Sequence, residues 1–582
     1  MFRFRNAFTA VGLSLCLAFS ASAQTWNGGG ANDNWSTGGV GGNWSGAAAP
    51  VSATTTSLTF AGITRLTPNN DLANPFTLNT LTFAAGAGAF NLGGNSLFFD
   101  GATRSITSNT SSNVIISQNV TFGGNGSINA TSTGGITFAG NTAINVGTVN
   151  VSNNVTMGNL TVGNGGLAVL LNTGVNTLTL NGTVTYDGGA ANTGDSAELR
   201  GQIDLNGGVR SFTAINPGAQ PAYDLIVTAK LIGTGGSGLN VPTSSLGNIL
   251  FTAQNTYSGP TTFNNNLGAV YLGVDNALPT TSAVTLGTTA FLSLRTPIDQ
   301  GSIVAGDFNH QFASLSSSAS DAEVRFGDTK TLTVGNGTNA TYAGTFTQST
   351  STGAPTLIKT GIGRWTLSGN SSADPGGSGA AFQGSVIVNQ GTLAITTPVS
   401  GLNSGTGRGT VLVNSGGTLA GNGALIPNLG SQAANTITIA AGGTIAPDAI
   451  AGPIGTLRLG ANSSRSTVTI NGTYLVDLTA VSSDRLTING SLTLGGTSSL
   501  NASGIASVPG GSTILSYIIA SFDNNSLTGT FASVSIPAGS SVQYNASNIT
   551  LLVPVPEPGT VLGLAAGLLT CGAWIRRRMT RV

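Results

Sequence analysis

The chain has 582 residues, only 7% of them charged, with 20 basic and 20 acidic side chains, one histidine, two cysteines and 86 glycines. Binding to nucleic acid requires clustered Lys and Arg to neutralise phosphates, and Lys230, Lys330 and Lys359 are the only lysines. No nucleic-acid partner is expected.

At the N-terminus, Arg3 and Arg5 form a short basic region and Ala10 to Phe19 an apolar one. Ala21-Ser22-Ala23 before Gln24 has the form of an A-x-A cleavage site, so residues 1–23 read as a secretory signal peptide cut after Ala23. Leu13-Ser14-Leu15-Cys16 superficially resembles an acylation box, but a large Leu stands where a small residue is needed. Cys16 and Cys571 both lie in the terminal segments. The region between them has no thiol, which excludes disulfides, a cysteine nucleophile and thiolate metal sites. Without the terminal arginines and Glu557, 14 basic residues face 19 acidic ones, a net charge of −5.

Trp26, Trp35 and Trp44 stand nine positions apart in a Gly- and Asn-rich opening. They suit either sugar stacking or a terminal cap. The cap is preferred, because a stacked repeat fold exposes core and strand edges at its end whatever it binds.

From residue 24 to 552 one texture persists. Runs of three to six apolar or Thr-alternating residues, such as Thr177-Leu178-Thr179-Leu180 and Ser466-Thr467-Val468-Thr469-Ile470, alternate with Gly, Asn and Ser. Strand-length runs closely bounded by turn residues mark an all-β chain, and no long helical periodicity interrupts them. Gly391-Thr392-Leu393, Gly417-Thr418-Leu419 and Gly443-Thr444-Ile445 recur at 26 positions. That period is too short for a propeller blade and fits one coil of a solenoid. Equivalent residues in stacked coils lie about 4.8 Å apart. Like charges at that spacing repel by ~0.9 kcal/mol even in water, whereas Thr, Ser and Asn columns can hydrogen-bond. The expected fold is a long right-handed parallel β-helix over 24–552.

Candidate chemical sites are few. His310, in Asp307-Phe308-Asn309-His310-Gln311, has no catalytic partner in view and reads as a loop or rung-edge residue. Asp321, Glu323, Arg325 and Asp328 form the densest charged patch, and Asp195, Glu198, Arg200 and Asp204 a second. Turn and surface roles explain both, since Asp favours turns, although a polysaccharide-degrading β-helix enzyme would place its carboxylates in such patches. No calcium-loop pattern is present. Neither a metal nor a cofactor is expected, and no catalytic residue is assigned. A third alternative is an ice or crystal-face binder using Thr columns such as Thr177 and Thr179; it rests on fold analogy alone.

The chain closes on residues 553–582. Val553-Pro554-Val555-Pro556-Glu557-Pro558 leads into the uncharged stretch 559–575, followed by Arg576, Arg577, Arg578 and Arg581. That stretch is at the short limit for a single membrane helix, and the arginines would hold its C-terminal end in the cytoplasm. The sequence Pro556-Glu557-Pro558, apolar helix, arginine cluster resembles the PEP-CTERM sorting tail. The resemblance implies recognition and processing by an exosortase at the cell envelope. It also implies transient anchoring in the cytoplasmic membrane, and a surface or extracellular-matrix destination in which exopolysaccharide is a candidate partner.

Leu357 to Asn370, containing Lys359-Thr360-Gly361 and Arg364-Trp365, resembles the autotransporter-associated β-strand repeat, and Asn255 to Thr262 is similar to its second half. Gly443 to Pro447, Ile454 to Leu457 and Ser483-Asp484-Arg485-Leu486 are similar to the distal end of autotransporter passengers. The resemblance implies a passenger-like β-helix and says nothing of a ligand. Only the tail follows Leu552, so a membrane barrel is not expected and exosortase sorting is the expected route. The sequence thus points to a non-enzymatic surface or matrix protein with structural or adhesive duties.

Overall fold

In a computed structural model, the described residues are 23–163, 168–188, 196–215, 223–297, 303–372, 380–399, 403–426, 436–448, 454–461, 465–505 and 513–555. Ala21, in the expected signal peptide, lies outside them. So does the tail from Pro556 onward, with Glu557, Pro558, the 559–575 stretch and Arg576, Arg577, Arg578 and Arg581. Among the described residues there is no α-helix, and none is long and apolar enough to cross a membrane. The chain divides into two units, 1–159 with 171–178, and 160–170 with 179–582.

In the first unit three parallel ladders repeat in chain order. One joins Ser57–Phe60, Thr80–Phe83, Ser105–Ser108 and Gly126–Ala130. A second joins Asn91–Gly94, Val114–Ile116, Ile136–Phe138 and Val155–Met157. The third joins Phe76–Leu78, Leu97–Phe99, Val120–Phe122 and Thr142–Ile144. Successive coils therefore lie one above the other with every strand in register: a parallel β-solenoid.

The alternation in sequence decides which side chains turn inward. Thr80–Phe83 and Ser105–Ser108 have every second residue buried, as the two-residue period of a strand requires. Leu58, Leu81, Ile106 and Ile128 form one inward column, each 0% exposed. Phe99 stacks on Phe122 with ring centroids 5.1 Å apart. Each such side chain contributes about 1.5–3 kcal/mol of apolar burial.

The second unit repeats the design with longer coils. Trp365, Leu393, Leu419, Ile445, Tyr474 and Leu500 make a continuous buried column. The register pairs Gly391 with Gly417 and Thr418 with Thr444, so the 26-residue period is one coil. The period is not general, however, since Leu500 pairs with Val534, 34 residues on. Corner loops absorb the difference while the strands keep register. The recurrent glycine has a steric cause. Gly391 has φ +69°, and a Cβ there would lie 2.4 Å from the Gly361 carbonyl oxygen; at Gly417 it would lie 2.4 Å from that of Val388.

Pairing is not parallel throughout. At the C-terminal end, Thr513–Ser521 pairs antiparallel with Asn548–Val555, which pairs antiparallel with Ser541–Tyr544. The last strand runs through Val553, Pro554 and Val555.

Candidate functional site

The N-terminal tryptophans sit inside. Trp26, Trp35 and Trp44 are 0%, 0% and 2% exposed. The ring of Trp44 meets those of Trp26 and Trp35 edge-on at 5.2 and 5.9 Å, and Trp35 packs on Phe76 at 5.3 Å. The indole N–H of Trp44 donates to the Trp35 carbonyl at 2.8 Å. Trp26 pairs in register with Phe60, the strand through which the cluster joins the first ladder. Buried Asn43 pins the loop over it, donating to the carbonyls of Asn32 and Asn34 and accepting from the Gly30 N–H. Rings enclosed in this way offer no face to a sugar. They seal apolar surface in the first coils, with edge-to-face geometry adding about 0.5–1.5 kcal/mol per pair. Ala23 is exposed at the start of the described chain.

The charged patches are internally satisfied. Glu323 is 7% exposed, and its Oε1 accepts from Nε and Nη2 of Arg325 and from the Thr347 hydroxyl. The Arg325 guanidinium lies 4.7 Å from the centroid of the Phe291 ring. Burial works against the charge of Asp328, but hydrogen bonds from Ser349 and Thr350, with Arg295 nearby, hold its carboxyl below the usual range. Asp321 points to solvent. In the second patch Arg200 grips both oxygens of Glu198, at 3.1 and 2.8 Å, and Thr228 donates to Oε1. Asp204 accepts from the Asn206 N–H, a local turn bond, and Asp195 lies outside the described residues. These contacts orient the carboxylates and neutralise those of Glu198 and Glu323.

His310 is 2% exposed, and neither ring nitrogen has a hydrogen-bond partner. Burial pushes its pKa down to about 3, against the pull of Asp275. The imidazole is therefore neutral in any physiological medium and packs against Phe312 as an apolar ring. Thr177 and Thr179 are half-buried on the outside of their strand.

Sequence reading missed two groups. Lys359 occupies an inward position between Val334 and Val388 and is 2% exposed. Its ammonium donates to the carbonyls of Thr360, Gly361 and Gln390 at 2.6, 2.6 and 3.1 Å. Burial pulls its pKa down to about 8. It staples a turn of its own coil to the next.

The other is a cavity of about 210 Å³ lined by Asp448, Asp477, Asp484, Leu475 and Asn501. Asp484, 3% exposed, accepts from the N–H groups of Gly455 and Asp477. Burial pushes its carboxyl up to about 6, with the charges of Asp477 and Asp448 adding to the effect and the two N–H bonds opposing it. Asp448 has an unpartnered buried Oδ2 and φ of 100°. Among the described residues no group of His, Asp and Glu is arranged to hold a metal ion. The only available signal was the segment containing Ser483-Asp484-Arg485, and nothing in it announces the other two aspartates.

No family model matches this chain. No curated protein matches its sequence. The solved structures similar to this chain include the Haemophilus influenzae Hap adhesin, at 12% identity over 86% of this chain, with a TM-score of 0.25. The match spans 64% of that adhesin's length.

Proposed function

We propose that this chain is a non-enzymatic, exported structural or adhesion protein of the cell surface or extracellular matrix. In this reading a right-handed parallel β-helix serves as a low-charge scaffold for matrix material such as exopolysaccharide. The observation that carries it is the fate of the charged groups. The carboxylates of Glu198 and Glu323 are bound by arginines two residues away, and the one histidine is buried and neutral. What faces solvent from the strands is mainly Ser, Thr and Asn.

Export is supported by sequence: the signal peptide with Ala21 and Ala23, and the Pro556-Glu557-Pro558 tail with its uncharged stretch and arginines. The tail resembles a PEP-CTERM element read by an exosortase-type enzyme, with transient cytoplasmic-membrane anchoring before processing. Cell fractionation with and without residues 556–582 tests it. Loss of the surface or matrix fraction on deletion is expected, and unchanged delivery refutes the sorting step.

A polysaccharide-degrading enzyme is the second reading, favoured by the Asp448, Asp477 and Asp484 cavity, since a raised carboxyl beside other carboxylates suits acid catalysis. It requires turnover of some polysaccharide that Asp484→Asn abolishes. An inert panel sinks it.

A further inference from the structure

The outward face of one ladder in the first unit is a charge-free array of unspent hydrogen-bonding groups. Its first row runs Ser57, Thr80, Ser105, Ser127, and its second Thr59, Thr82, Thr107, Asn129, each row in exact register across the coils. All eight side chains are half-buried and point away from the core. Ser127 accepts from the Asn129 amide. The six hydroxyls on the preceding three coils make no side-chain hydrogen bond among the described residues. At the corners of the same unit hydroxyls are used structurally: Thr110 donates to the Ala87 carbonyl and Thr131 to Asn109.

The first row continues into Asn150 by register, and Asn172 donates to the Asn150 side chain at 3.0 Å. There the face opens into a shallow groove of about 180 Å³ lined by Asn129, Asn150, Ser152, Asn172 and Asn176. The hydroxyl rows and the amide groove form one polar surface, repeating about every 4.8 Å from coil to coil.

The chemistry selects the ligand. Hydroxyls and amides both donate and accept, matching a partner that does the same at each repeat. An anionic polymer needs cations, and the basic residue beside the rows, Arg104, is already paired with Asp100. A peptide strand needs an open edge, but Thr80–Phe83 and Ser105–Ser108 are paired on both sides. We propose that this face binds an uncharged polysaccharide chain, which runs across the coils and settles in the amide groove. The inference deepens the scaffold reading by naming the partner's class and its site.

Co-sedimentation of the full-length protein with an insoluble neutral glucan, with alginate as the anionic comparison, tests it. Thr82→Val with Thr107→Val removes two central hydroxyls while keeping the β-branched shape that strands favour. Thr82→Lys with Thr107→Lys instead places charge there. Each pair should weaken glucan binding at least tenfold at unchanged melting temperature, with Thr121→Val, on another ladder, binding as wild type. The proposal is overturned if wild type ignores the glucan, if the valine pair binds like wild type, or if alginate is held more tightly. It is also overturned if wild type shapes ice growth and the valine pair does not, because the rows would then match ordered water. Surface delivery after tail deletion is read separately, so failure of the functional reading remains distinguishable from failure of the site.

Discussion

Replacing Lys359 by Met asks whether a buried ammonium stabilises the coils that enclose it. Met keeps an unbranched stem of similar length between Val334 and Val388, so apolar packing is nearly constant. What is lost is three charge-assisted bonds, to Thr360, Gly361 and Gln390, each worth about 1.5–3 kcal/mol net. Opposing them is the cost of burial, which takes the group from 10.5 to about 8. At 1.36 kcal/mol per pH unit that cost is about 3 kcal/mol. The balance favours the lysine by about 1–6 kcal/mol, so the Met variant should be less stable by roughly 2–3 kcal/mol. Denaturant unfolding gives the total. Hydrogen exchange in Thr356–Lys359, Arg364–Leu367 and Gly391–Ile395 should show the loss concentrated in those coils. A Met variant as stable as wild type, or more so, refutes the reasoning. It would mean that burying the ammonium costs more than its three carbonyls return.

Gly417→Ala should destabilise its coil by about 2–4 kcal/mol, because the new Cβ meets the Val388 carbonyl 2.4 Å away; a melt unchanged within about 0.5 kcal/mol contradicts the close-approach account. Trp44→Ala should cost about 3–5 kcal/mol and open the first coils to limited proteolysis, with uniform protease resistance the contrary result. Asp484 sets a pH dependence. Its carboxyl lies at about 6 in the fold against 3.8 ordinarily, so the stabilising preference for the protonated form is complete below about 3.8 and lost as pH rises through 6. Wild type should therefore gain about 2 kcal/mol relative to Asp484→Asn between pH 7.5 and 4.5, and parallel pH profiles count against it.

The fold was legible because it repeats. Gly391, Gly417 and Gly443 recur where one backbone crosses close to another, and the alternation in Val411–Val413 or Thr436–Ile439 already says which side chains turn inward. The variation in coil length was not legible, since corner loops change length at no cost to register, as between Leu500 and Val534. Thr513–Ser521 reads like any other run of the solenoid, and only the partner strand Asn548–Val555 shows that pairing turns antiparallel there. Lys359 was invisible for another reason: a lysine at an inward position reads as surface until the carbonyls around it are seen. Asp477 and Asp484 meet across a local turn closed by Leu478 and Ser483, and Asp448 joins them from the coil before, which no spacing announces. For Trp26, Trp35 and Trp44 the sequence left sugar stacking or a cap open, and their burial is what the structure adds.

Each strand of the column Leu393, Leu419, Ile445 pairs only with the coil before and the coil after. A coil copied or dropped from the middle would leave its former neighbours equally well matched. The number of coils is then a free variable under duplication and deletion. The Trp26, Trp35 and Trp44 cluster and the antiparallel strands at 513–555 are not interchangeable with any coil, and they are the parts such a lineage has to keep.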